Sequence, residues 1–183
     1  MEIIEHTVAV YRSHRDVESA VDALRGSGFD IKHLTIIGLD YPTDNHLVLV
    51  LHEGHRPRSR TRLGEFWSAM CELLSGSAIA FVPEIGQVMV AGRLVDEVES
   101  VSLSGNRRIV TAVLVGIGVP TDHALEYESA LKTGRFLLVV REHALSQRKV
   151  HEVLASTLAA SIDTYAPHAS ANATRDAFVR TLP

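Results

Sequence analysis

Residues 7–24 read TVAVYRSHRDVESAVDAL, and this stretch joins a strand signal directly to a helix signal. Its first five residues are rich in β-branched and aromatic side chains, which is typical of a strand. Ser13 then lies three residues before Asp16, as at the capped start of a helix. The apolar residues that follow recur at i, i+3, i+4 and i+7: Val17, Ala20, Val21 and Leu24. The stretch therefore predicts a strand followed by a capped helix with one apolar face.

Further strand and helix signals lie on both sides of the middle of the chain. Residues 34–38 (LTIIG), 46–51 (HLVLVL) and 136–140 (FLLVV) predict strands, and residues 122–132 predict a helix. Without the middle, the order of elements is that of the ferredoxin-like β-α-β-β-α-β motif. We therefore predict an α+β fold with one sheet, helices on one face and an additional C-terminal helix over about residues 146–160.

An internal similarity leaves a second topology open. Residues 8–24 (VAVYRSHRDVESAVDAL) and 138–154 (LVVREHALSQRKVHEVL) both combine a strand with a capped amphipathic helix. Two such units would form a repeat, which is an alternative to the ferredoxin-like order.

The middle of the chain, residues 56–119, differs from the segments around it. A polar, basic stretch is followed by mostly apolar sequence broken at Pro83 and Gly86, which predicts an apolar helical insert between the third strand and the second helix. The strands LVLVL and FLLVV are apolar at successive positions, as in strands that are buried on both faces. The insert or a second subunit must therefore cover the second face of the sheet. We expect a single domain over residues 1–165 and a loose tail over residues 166–183.

The composition is that of a folded protein in a reducing compartment. Apolar residues make up 46% of the 183 residues and charged residues 22%, which is enough to bury a core. The net charge of −4 gives no field that favours nucleic acid. Cys71 is the one cysteine, which excludes a disulfide within the chain, and the N-terminal sequence lacks the features of a signal peptide. We expect a cytoplasmic protein without integral membrane insertion, because Glu65, Glu72 and Glu84 interrupt its most apolar stretch.

Two segments resemble one protein family. Residues 63–95 contain a G-x-F-W opening, a run of small residues, a proline–glycine break and an A-G-x-L-V close: Gly64, Phe66, Trp67, Pro83, Gly86, Ala91, Gly92, Leu94 and Val95. Residues 116–140 (GIGVPTDHALEYESALKTGRFLLVV) are similar to a second block of that family, G-I-P…Y-E-x-A-L-K…F-L. Both segments resemble the small bacterial general stress proteins of the YflT-like type. The resemblance implies a role in the stress response and brings no catalytic residue and no cofactor, so we expect a non-enzymatic protein.

Four arginines alternate at the start of the insert: Arg56, Arg58, Arg60 and Arg62. In an extended chain their guanidinium groups would project to one side and form a ridge that binds phosphate or carboxylate groups. The competing interpretation is a solvated loop that pairs with acidic residues such as Glu65 or Asp96. The ridge supports an alternative function, a module that binds a small anionic molecule.

The histidines and the cysteine give weaker signals. His46, His52 and His55 lie near a predicted strand end, whereas H-x-x-H is specific for zinc when it lies on a helix. We therefore predict no metal at these residues. Cys71 has no C-x-x-C partner and no activating charge nearby in sequence, so we predict an inert thiol.

The first apolar part of the insert predicts an interface between copies of the chain. Its large apolar side chains follow helical spacing: Phe66, Trp67, Met70, Leu73 and Leu74. They offer more apolar surface than one helix needs to pack on a sheet, and such surfaces commonly mark interfaces. We expect a homo-oligomer, a dimer or larger, with Trp67 near the contact. The function that we infer is a non-enzymatic stress-associated protein that self-assembles through its insert.

Overall fold

A six-stranded sheet organises the protein, whose computed structural model describes residues 3–39 and 62–167. The strands are β1 (Ile4–Tyr11), β2 (Leu34–Leu39), β3 (Ser77–Val82), β4 (Gly86–Gly92), β5 (Phe136–His143) and β6 (Ser161–Tyr165). The helices are α1 (His14–Gly26), α2 (Arg62–Leu73), α3 (Val95–Leu103), α4 (Ile109–Gly116), α5 (Thr121–Lys132) and α6 (Gln147–Ala155). The strand order is β3-β4-β2-β5-β1-β6, and all neighbours are antiparallel. The described residues thus form a mixed α+β fold.

The first strand and helix form as the sequence predicts. The Ser13 side chain accepts a hydrogen bond from the Asp16 backbone N–H at 3.3 Å, which satisfies one of the free N–H groups at the start of α1. The predicted apolar face of α1 is buried: Val17, Ala20, Val21 and Leu24. Residue spacing is sufficient to predict this helix because its N-cap and its apolar stripe both depend on neighbours within a few residues.

The sheet has two covered faces, and each is named here after one of its helices. The α1 face is covered by α1, α2 and α6, and the α4 face is covered by α3, α4 and α5. Side chains of β1 and β5 alternate between the two hydrophobic cores, so both strands are buried on both sides. The prediction that the second face is covered is therefore confirmed, and the insert supplies two of the three covering helices, α3 and α4.

The insert is not purely helical, and this corrects the sequence prediction. β3 and β4 form an antiparallel hairpin, and β4 pairs with β2, so the insert extends the sheet by two strands. Residues 88–98, which the sequence predicts as helical, are divided between β4 and α3. The division falls at Gly92, where φ is +116° and a Cβ atom would lie 2.1 Å from the Leu34 carbonyl oxygen. Only glycine allows this close approach of two backbones.

The placement of the helices and strands also differs from the prediction. α5 packs on the α4 face, opposite α1 and α6, so the helices do not lie on one face. The short, partly polar strand β6 pairs with β1 and is not predicted by the sequence. The predicted strand at residues 46–51 lies outside the described residues, as do residues 168–183 of the predicted tail.

Two similar units share the α1 face. β1 with α1 and β5 with α6 are the two stretches of similar sequence, and β1 pairs with β5 from Ile4↔His143 to Tyr11↔Phe136. α1 and α6 lie side by side on this pair of strands. The internal similarity of the sequence therefore corresponds to two neighbouring strand–helix units.

Candidate functional site

The predicted interface residues lie in the core of the α1 face. Trp67 is 0% exposed, and its Nε1–H donates a hydrogen bond of 3.2 Å to the Leu39 carbonyl oxygen. Its ring lies near those of Phe66 and Phe136, with centroids 5.1 Å and 6.1 Å away. Met70 and Leu74 are buried as well, and Leu73 is half-buried. These side chains fill the protein's own core, which corrects the prediction that Trp67 lies at a contact between copies.

Most of the other predicted site residues lie outside the described residues. This applies to the arginines Arg56, Arg58 and Arg60 and to the histidines His46, His52 and His55. Arg62 begins α2 and is exposed, and Cys71 is half-buried on the same helix. Across residues 3–39 and 62–167, no three side chains of the metal-binding types lie close enough to hold a metal ion. The anion-binding ridge and the absence of a metal at the histidines remain predictions.

The outer edge of the insert exposes apolar side chains. β3 is the last strand on one side of the sheet, and within the described residues it pairs only with β4. Ile79 is 58% exposed and Phe81 is 67% exposed, on the same side of this strand. β3 reads SAIAFV and contains no charged residue. An edge of this kind has free backbone N–H and C=O groups and is a template for pairing with another strand.

A shallow groove lies between β3 and α3. It has a volume of about 480 Å³, and its lining combines apolar residues with polar ones: Ala78, Ile79, Val98 and Leu103 with Ser77, Glu99 and Ser102. Leu103 is 90% exposed. Exposed apolar side chains thus lie both on β3 and on the neighbouring end of α3, and we call β3 together with Leu103 the β3 edge.

The opposite edge of the sheet is protected. β6 has five residues, and its exposed side chains include Ser161 and the charged Asp163. A short strand with an outward charge is a common device against edge pairing. Of the two edge strands in residues 3–39 and 62–167, β3 lacks this protection. The signal in the sequence is the pair of large apolar residues at alternate positions, Ile79 and Phe81.

Two buried polar networks lie near β1 and β6. Thr7 Oγ1 donates to Glu142 Oε1 at 2.5 Å on the α1 face, and burial raises the pKa of Glu142. On the α4 face, the Tyr165 hydroxyl lies 2.7 Å from that of Tyr127 and 2.9 Å from His123 Nδ1. Burial raises the pKa of both tyrosines, so both hydroxyls stay protonated and act as hydrogen-bonding groups of the core.

No protein family, curated protein or solved structure matches the chain. None of the helices in residues 3–39 and 62–167 combines the length and apolar character that a membrane span requires.

Proposed function

We propose that the chain is a non-enzymatic, stress-associated protein whose copies assemble through the β3 edge. The observation that carries this proposal is the exposure of Ile79 and Phe81 on an uncharged edge strand. In this proposal the copies contact each other through the β3–β4 hairpin of the insert. The sequence alone predicts a contact through the helix that carries Trp67. The link with stress rests on the resemblance of residues 63–95 and 116–140 to general stress proteins.

A second copy of the same strand is the partner that suits the β3 edge. Two β3 strands that pair antiparallel around a two-fold axis form a closed, isologous contact, the commonest symmetry of protein dimers. Each strand would satisfy the free backbone groups of the other and place its Ile79 and Phe81 beside the same residues of the second copy. Because β3 has no charged side chain, the two paired strands themselves carry no like charges.

We also propose that the fold contains a ferredoxin-like core interrupted by the insert. The elements β1-α1-β2 and β5-α6-β6 would be its two halves, with strand order β6-β1-β5-β2 and both helices on the α1 face. The sequence assigns the second half differently, with residues 46–51 as third strand and α5 as second helix. In this proposal the insert begins after Leu39 and ends before Phe136, and its hairpin lengthens the sheet beyond β2.

The test of assembly is sedimentation velocity at tens of micromolar protein. We expect the wild type to sediment as a dimer and the double variant Ile79→Lys/Phe81→Lys to sediment as a monomer, because two charges at an edge oppose strand pairing. Leu145→Lys is the matched control, since Leu145 is 99% exposed and lies away from β3. Circular dichroism verifies that all three proteins are folded.

Several outcomes contradict assembly through this edge. If the wild type is a monomer at tens of micromolar, self-association is excluded. Another segment of the chain or another protein would then cover β3. A double variant that stays dimeric places the contact elsewhere. The stress association is tested separately by immunoblotting native cells before and after heat, salt and ethanol shock, and an unchanged abundance contradicts it.

A further inference from the structure

A charged cleft opens at one end of the α4 face. It has a volume of about 190 Å³, and the residues that line it come from β1, β5, the link from β4 into α3, the turn after α4 and the chain after β6. The polar side chains among them are His6, Arg93, Glu97 and Arg141. The two arginines are separated by nearly fifty residues in the sequence, so no local pattern reveals that they share a site.

The sheet register places the side chains of the cleft together. His6 on β1 is paired with Arg141 on β5, so the two side chains lie next to each other on the α4 face. Arg93 follows the last residue of β4, and its backbone N–H donates to the Leu34 carbonyl oxygen at 3.0 Å. The adjacent Leu94 is anchored as well, because its N–H donates to a buried threonine hydroxyl of β2 at 3.0 Å. Arg93 is thus held by a backbone that cannot move freely.

The turn between α4 and α5 closes the other side of the cleft. Gly118 has φ +107°, and a Cβ atom there would lie 2.6 Å from the Ala166 carbonyl oxygen. Only glycine fits this contact, which brings the turn at Ile117 and the chain at Pro167 to the cleft. The site is therefore built by backbone elements from five parts of the chain.

The charges of the cleft do not cancel. Arg93 Nη1 lies 3.5 Å from Glu97 Oε1, a weak pair because both side chains are about 40% exposed. Within residues 3–39 and 62–167, Arg141 forms no salt bridge. Burial, with the positive charge of Arg141 next in size, lowers the pKa of His6 to about 4, so the imidazole is neutral at pH 7. Among the described residues that line the cleft there are thus two guanidinium groups and one carboxylate.

We propose that this cleft binds a small oxyanion, the phosphate or carboxylate group of a metabolite, through Arg141 and Arg93. A guanidinium presents paired N–H donors that match the oxygens of both groups. His6 supplies a second, independent indication: it is more than nine-tenths buried, it lines the cleft, and its Nδ1 has no hydrogen-bond partner among the described residues. A ligand hydroxyl in the cleft would provide the missing donor.

The size and charge of the cleft define the class of ligand. A volume of about 190 Å³ holds a compact group and excludes a nucleotide. Glu97 leaves an excess of one positive charge, which suits a single oxyanion and disfavours a polyphosphate chain. This site is distinct from the β3 edge, so its occupancy does not depend on self-assembly.

The test is a titration of the full chain followed by the NMR signals of its arginine side chains. Sodium phosphate and sodium lactate are titrated separately, with sodium chloride keeping the ionic strength constant. We expect saturable binding of at least one of them, weakened about tenfold or more in Arg141→Gln, since charge-assisted hydrogen bonds are the stronger ones. Arg93→Gln is the second variant, because its side chain is more exposed and its loss leaves the fold intact.

The matched control is Arg148→Gln, an exposed arginine of α6 that pairs with Glu152. Binding that is unchanged in this variant and weakened in the two cleft variants supports the proposal. Absence of saturable binding of both anions overturns it. An equal loss of affinity in Arg148→Gln also overturns it, because the effect would then be one of overall charge.

Discussion

The two faces of the sheet are built from different side chains. The α1 face has an aromatic cluster in which Trp67, Phe66 and Phe136 pack edge to face or tilted. The α4 face is covered mainly by branched aliphatic residues such as Val113 and Leu114, with tyrosines at one side. The rings are closely packed where β2 passes under them, since a Cβ atom at Gly38 would meet Phe136 and Trp67. The difference teaches that large aromatic side chains carry much of the packing on the α1 face, whereas the α4 face depends on smaller aliphatic ones.

The largest expected effect breaks the aromatic cluster. Trp67→Ala should lower the free energy of unfolding by about 3–5 kcal/mol, because it removes a fully buried ring and leaves a cavity. Leu114→Ala is the counterpart on the α4 face and should cost less, toward the lower end of about 2–5 kcal/mol. Urea denaturation followed by circular dichroism measures both. A Trp67→Ala protein that is as stable as the wild type but no longer forms the dimer would mean that Trp67 lies at an interface between copies.

A pH effect tests the buried histidine of the α4 face. The folded-state pKa of His6 is about 4, below its ordinary value of 6.5, because the buried imidazole is held neutral. Its contribution to stability is therefore complete above about pH 6.5 and is lost as the pH falls through about 4, by at most about 3 kcal/mol. In His6→Gln this part of the pH dependence should disappear. His143→Gln, at an exposed position, controls for the removal of an imidazole, and an identical slope in wild type and His6→Gln would refute the assignment.

A glycine on the α1 face tests how closely its rings are packed. A Cβ atom at Gly38 would lie 2.4 Å from Phe136 Cδ1 and 3.1 Å from Trp67 Cζ2. Gly38→Ala should therefore cost about 1–3 kcal/mol of stability through overpacking. At Gly26, the last residue of α1, a Cβ atom meets nothing within 4 Å, so Gly26→Ala should be neutral or slightly stabilising. Equal stabilities of the two variants by thermal denaturation would show that the rings move aside.

The smallest expected effect concerns the buried acid of the α1 face. Burial raises the pKa of Glu142, so the fold favours its neutral form, and its contribution to stability is lost as the pH rises through that raised value. Glu142→Gln keeps an acceptor for the Thr7 hydroxyl and should stabilise the protein at pH 7 by less than about 1 kcal/mol. The gain should vanish in acid, where the native carboxyl is protonated. Stability lower than that of the wild type at pH 7 would mean that the ionised form is the favoured one.

The sequence predicts local structure well where one helix or strand carries its own signal. The cap at Ser13 and the stripe of α1 are examples, because both depend on neighbours within one or two turns. It predicts the hairpin of the insert poorly. Residues 88–98 are apolar enough for either a helix or a strand, and pairing of β4 with β2 across some fifty residues decides the outcome.

The same limit applies to the sites. The large apolar side chains beside Trp67 predict a buried surface correctly, but the sequence does not say whether the chain itself or a second copy covers it. Strand order and register place β3 at the edge of the sheet and bring Arg93 and Arg141 into one cleft. Local residue spacing does not reveal either of these features.

The sequence by itself therefore determined the class of fold, the first strand and helix, and the burial of β5 on both faces. The tertiary structure decided which helices lie on which face, that the insert widens the sheet, and that Trp67 belongs to the core. The physical reason is that helix periodicity and capping act over a few residues, whereas strand order and burial arise from contacts between distant segments. Such contacts form only when the whole chain buries its apolar surface.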